Sequence, residues 1–172
     1  AMGAFSHWSN PNIGGTDDRS GRPFVAYDVI LAGYGGRHDC DGPEGMSPVM
    51  NCSNIPIEVH ETNNPIRVQR FEFIPDSGGD GKHRGGCGVR KDIELLNSHA
   101  TLSLLGDRHK YQPYGLQGGE PGHVGETILN PHLNAEPLGS KEIRDLKKGD
   151  VVSIRLSGAG GYGDPKERSS AA

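Results

Sequence analysis

The sequence predicts a mostly β domain, sandwich- or barrel-like, with long Gly-rich loops and at most one or two short helices. Three observations predict it. Short runs alternate apolar with polar residues, the period of a half-buried strand. The 27 glycines and 12 prolines cluster between those runs rather than within them, as tight turns require. Only one stretch carries a helical spacing, and it lasts a turn or two. Strands at short spacing with little helix point to stacked or closed sheets.

The elements follow in order. Residues 1–22 are polar and rich in Gly, Asn, Asp and Ser, which reads as a lead-in segment. Residues 24–31 read as a strand, with Val25, Tyr27, Val29 and Leu31 sharing one parity. The loop over residues 33–54 exceeds the ~12–15 residues usual for structureless connections, so a functional or contact-forming role is expected. In residues 66–74, Ile66 and Val68 lie on one parity, Phe71 and Phe73 on the other. A bulge near Gln69-Arg70 would return all four to one face; burial of both faces is the competing explanation.

After the loop at 76–88, Val89, Lys91, Ile93 and Leu95 alternate, and Leu102 and Leu104 begin another strand. Residues 106–125 are loop-rich, and residues 126–130 suit a brief strand. Residues 140–148 read as a short helix with Ile143 and Leu146 inward and Gly149 as its stop. Val152, Ile154 and Leu156 close the pattern as a strand. No internal repeat is present. The organisation is a lead-in (1–22), one β domain (23–168) and a tail (169–172).

Bulk properties exclude several classes. The 172 residues support one domain. A formal charge of -4 and a pI near 6.1 argue against nucleic acid as a partner. No apolar stretch approaches the ~20 residues that cross a bilayer, and no signal peptide is visible. The opening Ala1-Met2-Gly3 reads as a tag remnant ahead of an excised fragment, which would hide a targeting signal. Cys40, Cys52 and Cys87 fit no disulfide framework, so a reducing, cytoplasmic location is expected.

Three segments carry a resemblance. The first runs from Ile55-Pro56-Ile57-Glu58 through Pro65-Ile66-Arg67-Val68 into Asp76-Ser77-Gly78-Gly79-Asp80-Gly81-Lys82-His83-Arg84-Gly85-Gly86. The second is Gly106-Asp107-Arg108-His109-Lys110, followed by Gln112-Pro113-Tyr114-Gly115-Leu116 and Gly118-Gly119. The third is Gly149-Asp150-Val151-Val152, ending in Gly158-Ala159-Gly160-Gly161-Tyr162-Gly163-Asp164-Pro165. In order and spacing they resemble the C-terminal part of the hydantoinase B/5-oxoprolinase family, which includes N-methylhydantoinase B and ketone carboxylase subunits. One Gly-rich loop would be weak; three in sequence are specific. The pattern is left after Arg168, where Ser169-Ser170-Ala171-Ala172 follows.

The resemblance implies a piece of an ATP-dependent amidohydrolase complex, or of a related carboxylase, inactive alone. An A-type ATP-binding subunit would phosphorylate a carbonyl oxygen, and the B-type subunit would complete hydrolysis at a metal-containing site. It implies ATP and a divalent metal ion for the whole enzyme, neither bound by this segment. The metal ligands are expected in the N-terminal half of the B-type subunit. Implied partners are that half and the A-type subunit, in a homo- or hetero-oligomer, with no nucleic acid or membrane.

Each candidate residue has a plain alternative. The loop 77–86 offers unshielded backbone N–H groups beside Lys82, His83 and Arg84, an anion-binding nest or a tight connection whose basic residues face water or a partner chain. It lacks the Gly-Lys-Ser/Thr ending of an ATP-binding loop. Asp107, Arg108, His109 and Lys110 follow a strand end. His109 suits acid–base work with Asp107 orienting it, and Arg108 suits anion binding; a structural Asp107–Arg108 network is the alternative. His38, Cys40, Cys52 and His60 are zinc-type ligands at spacings that fit no zinc motif, so no metal is assigned. Asp39, Asp41 and Glu44 read as solvated loop charges. Glu58 and Glu61 flank an expected strand, exposed or at a subunit contact. Tyr162 reads as an aromatic anchor.

Overall fold

The computed structural model describes residues 4–46 and 53–169, so Cys52 and the rest of 47–52 lie outside the described residues, as do 1–3 and 170–172. Two antiparallel sheets face each other as a sandwich. The first is four-stranded, in the order β2 (Pro23–Tyr27), β1 (Ser9–Thr16), β5 (His99–Gly106), β8 (Lys141–Lys147). The second is five-stranded, in the order β3 (Ile66–Ile74), β4 (Gly88–Leu95), β9 (Val151–Arg155), β6 (Glu126–Leu129), β7 (Glu136–Leu138). Among the described residues one α-helix, α1 (Ile57–Asn63), packs beside β3, and a 3-10 turn spans Pro165–Glu167.

Between the sheets lies one core. Ile13, Phe24, Ala26, Leu102, Leu104 and Leu146 from the first sheet meet Ile66, Ile93, Leu95, Val152 and Ile154 from the second. Truncating such a fully buried leucine to alanine costs about 2–5 kcal/mol. The expected alternation of Val89, Lys91, Ile93 and Leu95 holds, and all four are buried. The bulge is present: the register of β3 against β4 shifts between Val68 and Arg70. Ile66, Val68, Phe71 and Phe73 therefore all stand opposite the inward residues Leu95, Ile93, Lys91 and Val89.

Several expectations are corrected. Residues 9–16, read within a polar lead-in, form β1, an inner strand paired on both sides. Pro11 and Gly14-Gly15 disguise it, because proline and glycine ordinarily punctuate strands. In β2 the outward parity is the one that looked apolar: Val25 and Tyr27 are exposed, while Phe24 and Ala26 face the core.

Residues 141–147 form a strand, not a helix. Leu146 pairs with Ala100 and is buried, but Ile143 is 72% exposed. The inward parity of β8 also carries Arg144, which ion-pairs with Glu136 and Glu142, so its period-2 signal is charged rather than apolar. Helix-favouring Lys, Glu, Arg and Leu lose here to tertiary pairing.

Glu58 and Glu61, expected beside a strand, lie on α1. Glu61 accepts the backbone N–H of Val68 at 2.8 Å, covering part of the β3 edge.

A charged cluster interrupts the core. Lys91 ion-pairs with Asp28, and His60 Nε2 from α1 stands 3.9 Å from the same carboxylate. All three are buried, and the Lys91 ammonium also lies 4.9 Å from the Phe71 ring centroid. Removing one partner of such a pair strands the other charge, at about 3–5 kcal/mol.

Candidate functional site

The strand ends at one edge of the five-stranded sheet feed a layer of glycine-rich loops: 76–87 between β3 and β4, 113–125 before β6, and 156–163 after β9. The segment 33–42 joins them. These loops touch backbone to backbone. The Gly79 N–H donates to Ala159 O (2.7 Å), Gly86 to Tyr34 O (2.9 Å), Gly161 to Glu120 O (2.9 Å) and Gly36 to Gly160 O (2.9 Å). Tyr162 bridges both His83 and Leu116 in β fashion, so its expected anchoring role is made largely by its main chain. A Cβ added at Gly158 would overlap the Ser77 carbonyl, and one at Gly85 would overlap that of Ala159. Glycine is the residue that allows this spacing.

The sequence-predicted residues Asp107, Arg108 and His109 lie where β5 runs into the 106–125 loop. Arg108 holds a left-handed backbone (φ 57°), and its carbonyl accepts the Gly125 N–H at 2.9 Å. Asp107 and Arg108 line a cleft of about 340 Å³ together with Phe5, Ser6, His7, Trp8 and Tyr111. Phe5 and Trp8 form a tilted pair with centroids 5.9 Å apart.

His7, in the cleft lining, meets His109, which is not itself a lining residue, edge to face with ring centroids 6.0 Å apart. His7 Nδ1 lies 3.0 Å from Ser157 Oγ and receives the Ser157 backbone N–H at 3.4 Å. A backbone N–H can only donate, so Nδ1 is the acceptor and Nε2 carries the proton. Ser6 Oγ in turn bonds the Ser157 carbonyl. Burial, His109 and then Arg108 push the His7 pKa down to about 3, against a smaller upward pull from Asp107. Burial first, then the Lys141 ammonium, lowers the pKa of His109 below the ordinary imidazole range. Both rings are therefore neutral at pH 7, and His109, half-buried, suits proton acceptance. Asp107 raises both pKa values, but its carboxylate accepts from the Lys141 ammonium (3.0 Å). It is His7 whose ring stands against His109.

Lys82 and Arg84 belong elsewhere. Lys82 borders a second cleft, of about 410 Å³, lined by Cys40, Asp41, His83, Glu167 and Ser169, which shares no residue with the first. Lys82 pairs with Glu167 (3.3 Å), and Arg84 with Asp76 (3.3 Å) and Asp80 (3.4 Å). Asp41 clasps Arg168 through two 2.8 Å contacts and accepts the Arg84 N–H at 2.8 Å; the Arg168 bonds chiefly hold its carboxyl below the usual carboxylate range. The backbone N–H groups of residues 79, 82, 83, 85 and 86 all donate to carbonyls. These N–H groups are thus engaged within the fold, and Lys82 and Arg84 both face acidic partners.

Among the described residues, no three His, Cys, Asp or Glu side chains converge to hold a metal ion. His38 faces Asp39 at 3.6 Å, Cys40 lies beside Arg37, and His60 belongs to the buried Asp28–Lys91 cluster. These residues do not fit the divalent metal ion that the family resemblance implies. Sequence reasoning missed His7, whose partner Ser157 is 150 residues away; its one visible signal was the aromatic pair Phe5 and Trp8 flanking it in a polar stretch.

Comparison with known proteins agrees with this architecture. A solved ATP-dependent caprolactamase from Pseudomonas jessenii superimposes on 96% of this chain and 31% of its own, with a TM-score of 0.79 and 25% identity. A nucleotide-free acetone carboxylase shares the fold, with a TM-score of 0.73 at 19% identity over 94% of this chain and 26% of its own. A putative B-type subunit of a D-/L-hydantoinase from a Pseudomonas species is 33% identical over 169 residues, 96% of this chain. The chain spans 27% of that relative's length. Residues 1–165 match hydantoinase B/oxoprolinase, and with the sandwich, the loop layer and these relatives in agreement, the chain belongs to that family.

Proposed function

We propose that this chain is the C-terminal domain of the B-type subunit of an ATP-dependent cyclic-amide hydrolase of the hydantoinase/oxoprolinase type, forming part of the cavity wall and of the subunit contacts. The observation that carries this reading is the 33% identity along 96% of the chain to a putative hydantoinase B-type subunit. The caprolactamase likeness supports a lactam as substrate class.

A ring amide carbonyl is a poor electrophile, and phosphorylation of its oxygen by an A-type subunit activates the carbon. Water adds there, the ring C–N bond breaks as the nitrogen takes a proton, and the acyl phosphate left is hydrolysed to carboxylate and phosphate. In this reading the divalent metal of the whole enzyme is held by the remainder of the B-type subunit. In this chain, His109 accepts a proton beside the cleft, where its ring stands against His7, and Phe5, Trp8 and Tyr111 limit water in the cleft. The partners are that remainder and the A-type ATP-binding subunit. Cys40 and Cys87 are free thiols, which supports a cytoplasmic setting.

The test uses the full-length subunit with its A-type partner. His109→Ala is expected to lower turnover by about 10²-fold or more, the usual weight of a general base, while gel filtration shows an intact complex. Loss of assembly with turnover per complex unchanged would instead make the domain a non-catalytic assembly module. The chain alone is expected to show no turnover.

A further inference from the structure

We propose that the cleft between residues 5–8 and 107–111 is a binding site for small carboxylates with a flat, apolar body. The volume of about 340 Å³ falls within the range of small-molecule pockets. Its walls are three aromatic side chains, Phe5, Trp8 and Tyr111. Aromatic faces favour a flat partner that stacks against them.

The polar groups of the floor are uncharged, and His7 Nε2 is buried with no hydrogen-bond partner among the described residues. Ser6 bonds the Ser157 carbonyl, and His7 is held by Ser157 and stays uncharged down to about pH 3. The floor thus favours the apolar part of a ligand over a charged one.

Charge is concentrated at the lip. Asp107 is offset by Lys141 at 3.0 Å, and nearby Glu126 by Arg155 at 2.6 Å. Arg108 and Lys110 are cations on the same loop, Lys110 with its ammonium 5.4 Å from the Tyr111 ring centroid. Arg108 has an interaction within the chain, and a guanidinium, with five N–H donors in a planar fork, still offers others to a carboxylate. Arg108 is also a non-glycine residue held at φ 57°. Such strain collects at positions that a site requires.

The inference deepens the reading above and rests on it only for the ligand's place in a reaction. Binding is measured on this chain, without turnover, so failure of one is distinguishable from failure of the other. Trp8 is the only tryptophan of the chain, so its fluorescence reports on the cleft directly.

The experiment titrates the chain with benzoate, benzyl alcohol and acetate, following Trp8 emission and calorimetric heat. Benzoate is expected to give a saturable response. Benzyl alcohol, which lacks the charge, and acetate, which lacks the flat body, should each bind about tenfold more weakly or worse. Arg108→Gly relieves the left-handed strain, so its melting temperature should not fall, while its benzoate affinity should drop about tenfold or more. Arg108→Gln, which keeps a side chain at the position, should lose affinity similarly. No saturable benzoate response would overturn the proposal. So would equal binding of benzyl alcohol or acetate, or folded Arg108 variants that bind benzoate unchanged.

Discussion

The sandwich core and the glycine-loop layer are packed by opposite rules. In the core, side chains fill the space between sheets, and Leu95, Leu102, Leu146 and Val152 are wholly buried. In the loop layer, chains approach until main-chain atoms touch, and side chains are excluded. The first region is weakened by removing atoms, the second by adding them. A glycine content of the kind found in disordered chains is here a packing device. The layer also holds one side of the functional cleft, since Ser157, which fixes His7, leads directly into Gly158.

The contrast is broken most severely by one methyl group. Gly158→Ala places a Cβ onto the Ser77 carbonyl, which only a shift of two loops can relieve. We expect a loss of about 4 kcal/mol or more, the exceptional end for single substitutions. Urea unfolding would measure it; a loss below about 1 kcal/mol would mean that the loops are loosely packed.

The next effect is electrostatic. The pKa of His7 falls to about 3 in the folded chain, from an ordinary value of 6.5, so the unfolded chain binds the extra proton between those values. The stability linked to this shift is complete above pH ~6.5 and is lost progressively as pH falls towards ~3. His7→Gln should flatten that decline in a pH series of urea melts, although His60 and His109, whose pKa values are also lowered, retain part of it. An identical pH slope in the variant would show that the ring is not desolvated.

The smallest effect separates two kinds of glycine. Gly149 turns β8 into β9 at φ +90° with open space around it. Gly149→Ala should cost only about 1 kcal/mol, from backbone strain alone, read as a modest shift of the melting temperature.

The legible parts of the fold were those whose inward face is apolar at period two, namely β4, β5 and β9, together with the bulge that reconciles Val68 with Phe71. The illegible parts hide that period. Proline and paired glycines mask β1, and Arg144 occupies the inward parity of β8. Pro56 ahead of Ile57 and Val59 resembles strand alternation where α1 begins. At the site, Asp107, Arg108 and His109 were visible because they follow a strand end in a row. His7 was not, because Ser157 and His109 come to it only through the folded arrangement of three distant segments. Lys82 and Arg84 were visible as charge, while their acidic partners emerged only with the fold.

Amide hydrogen exchange tests the central claim most directly, namely that glycine loops joined through their main chains form a platform as firm as the sheets. The N–H groups of Gly79, Gly86, Ala159 and Gly161, all donating between loops, should be protected to within about tenfold of those in β4 and β9. Exchange of these amides orders of magnitude faster than the strands, at rates near those of an open chain, would contradict it.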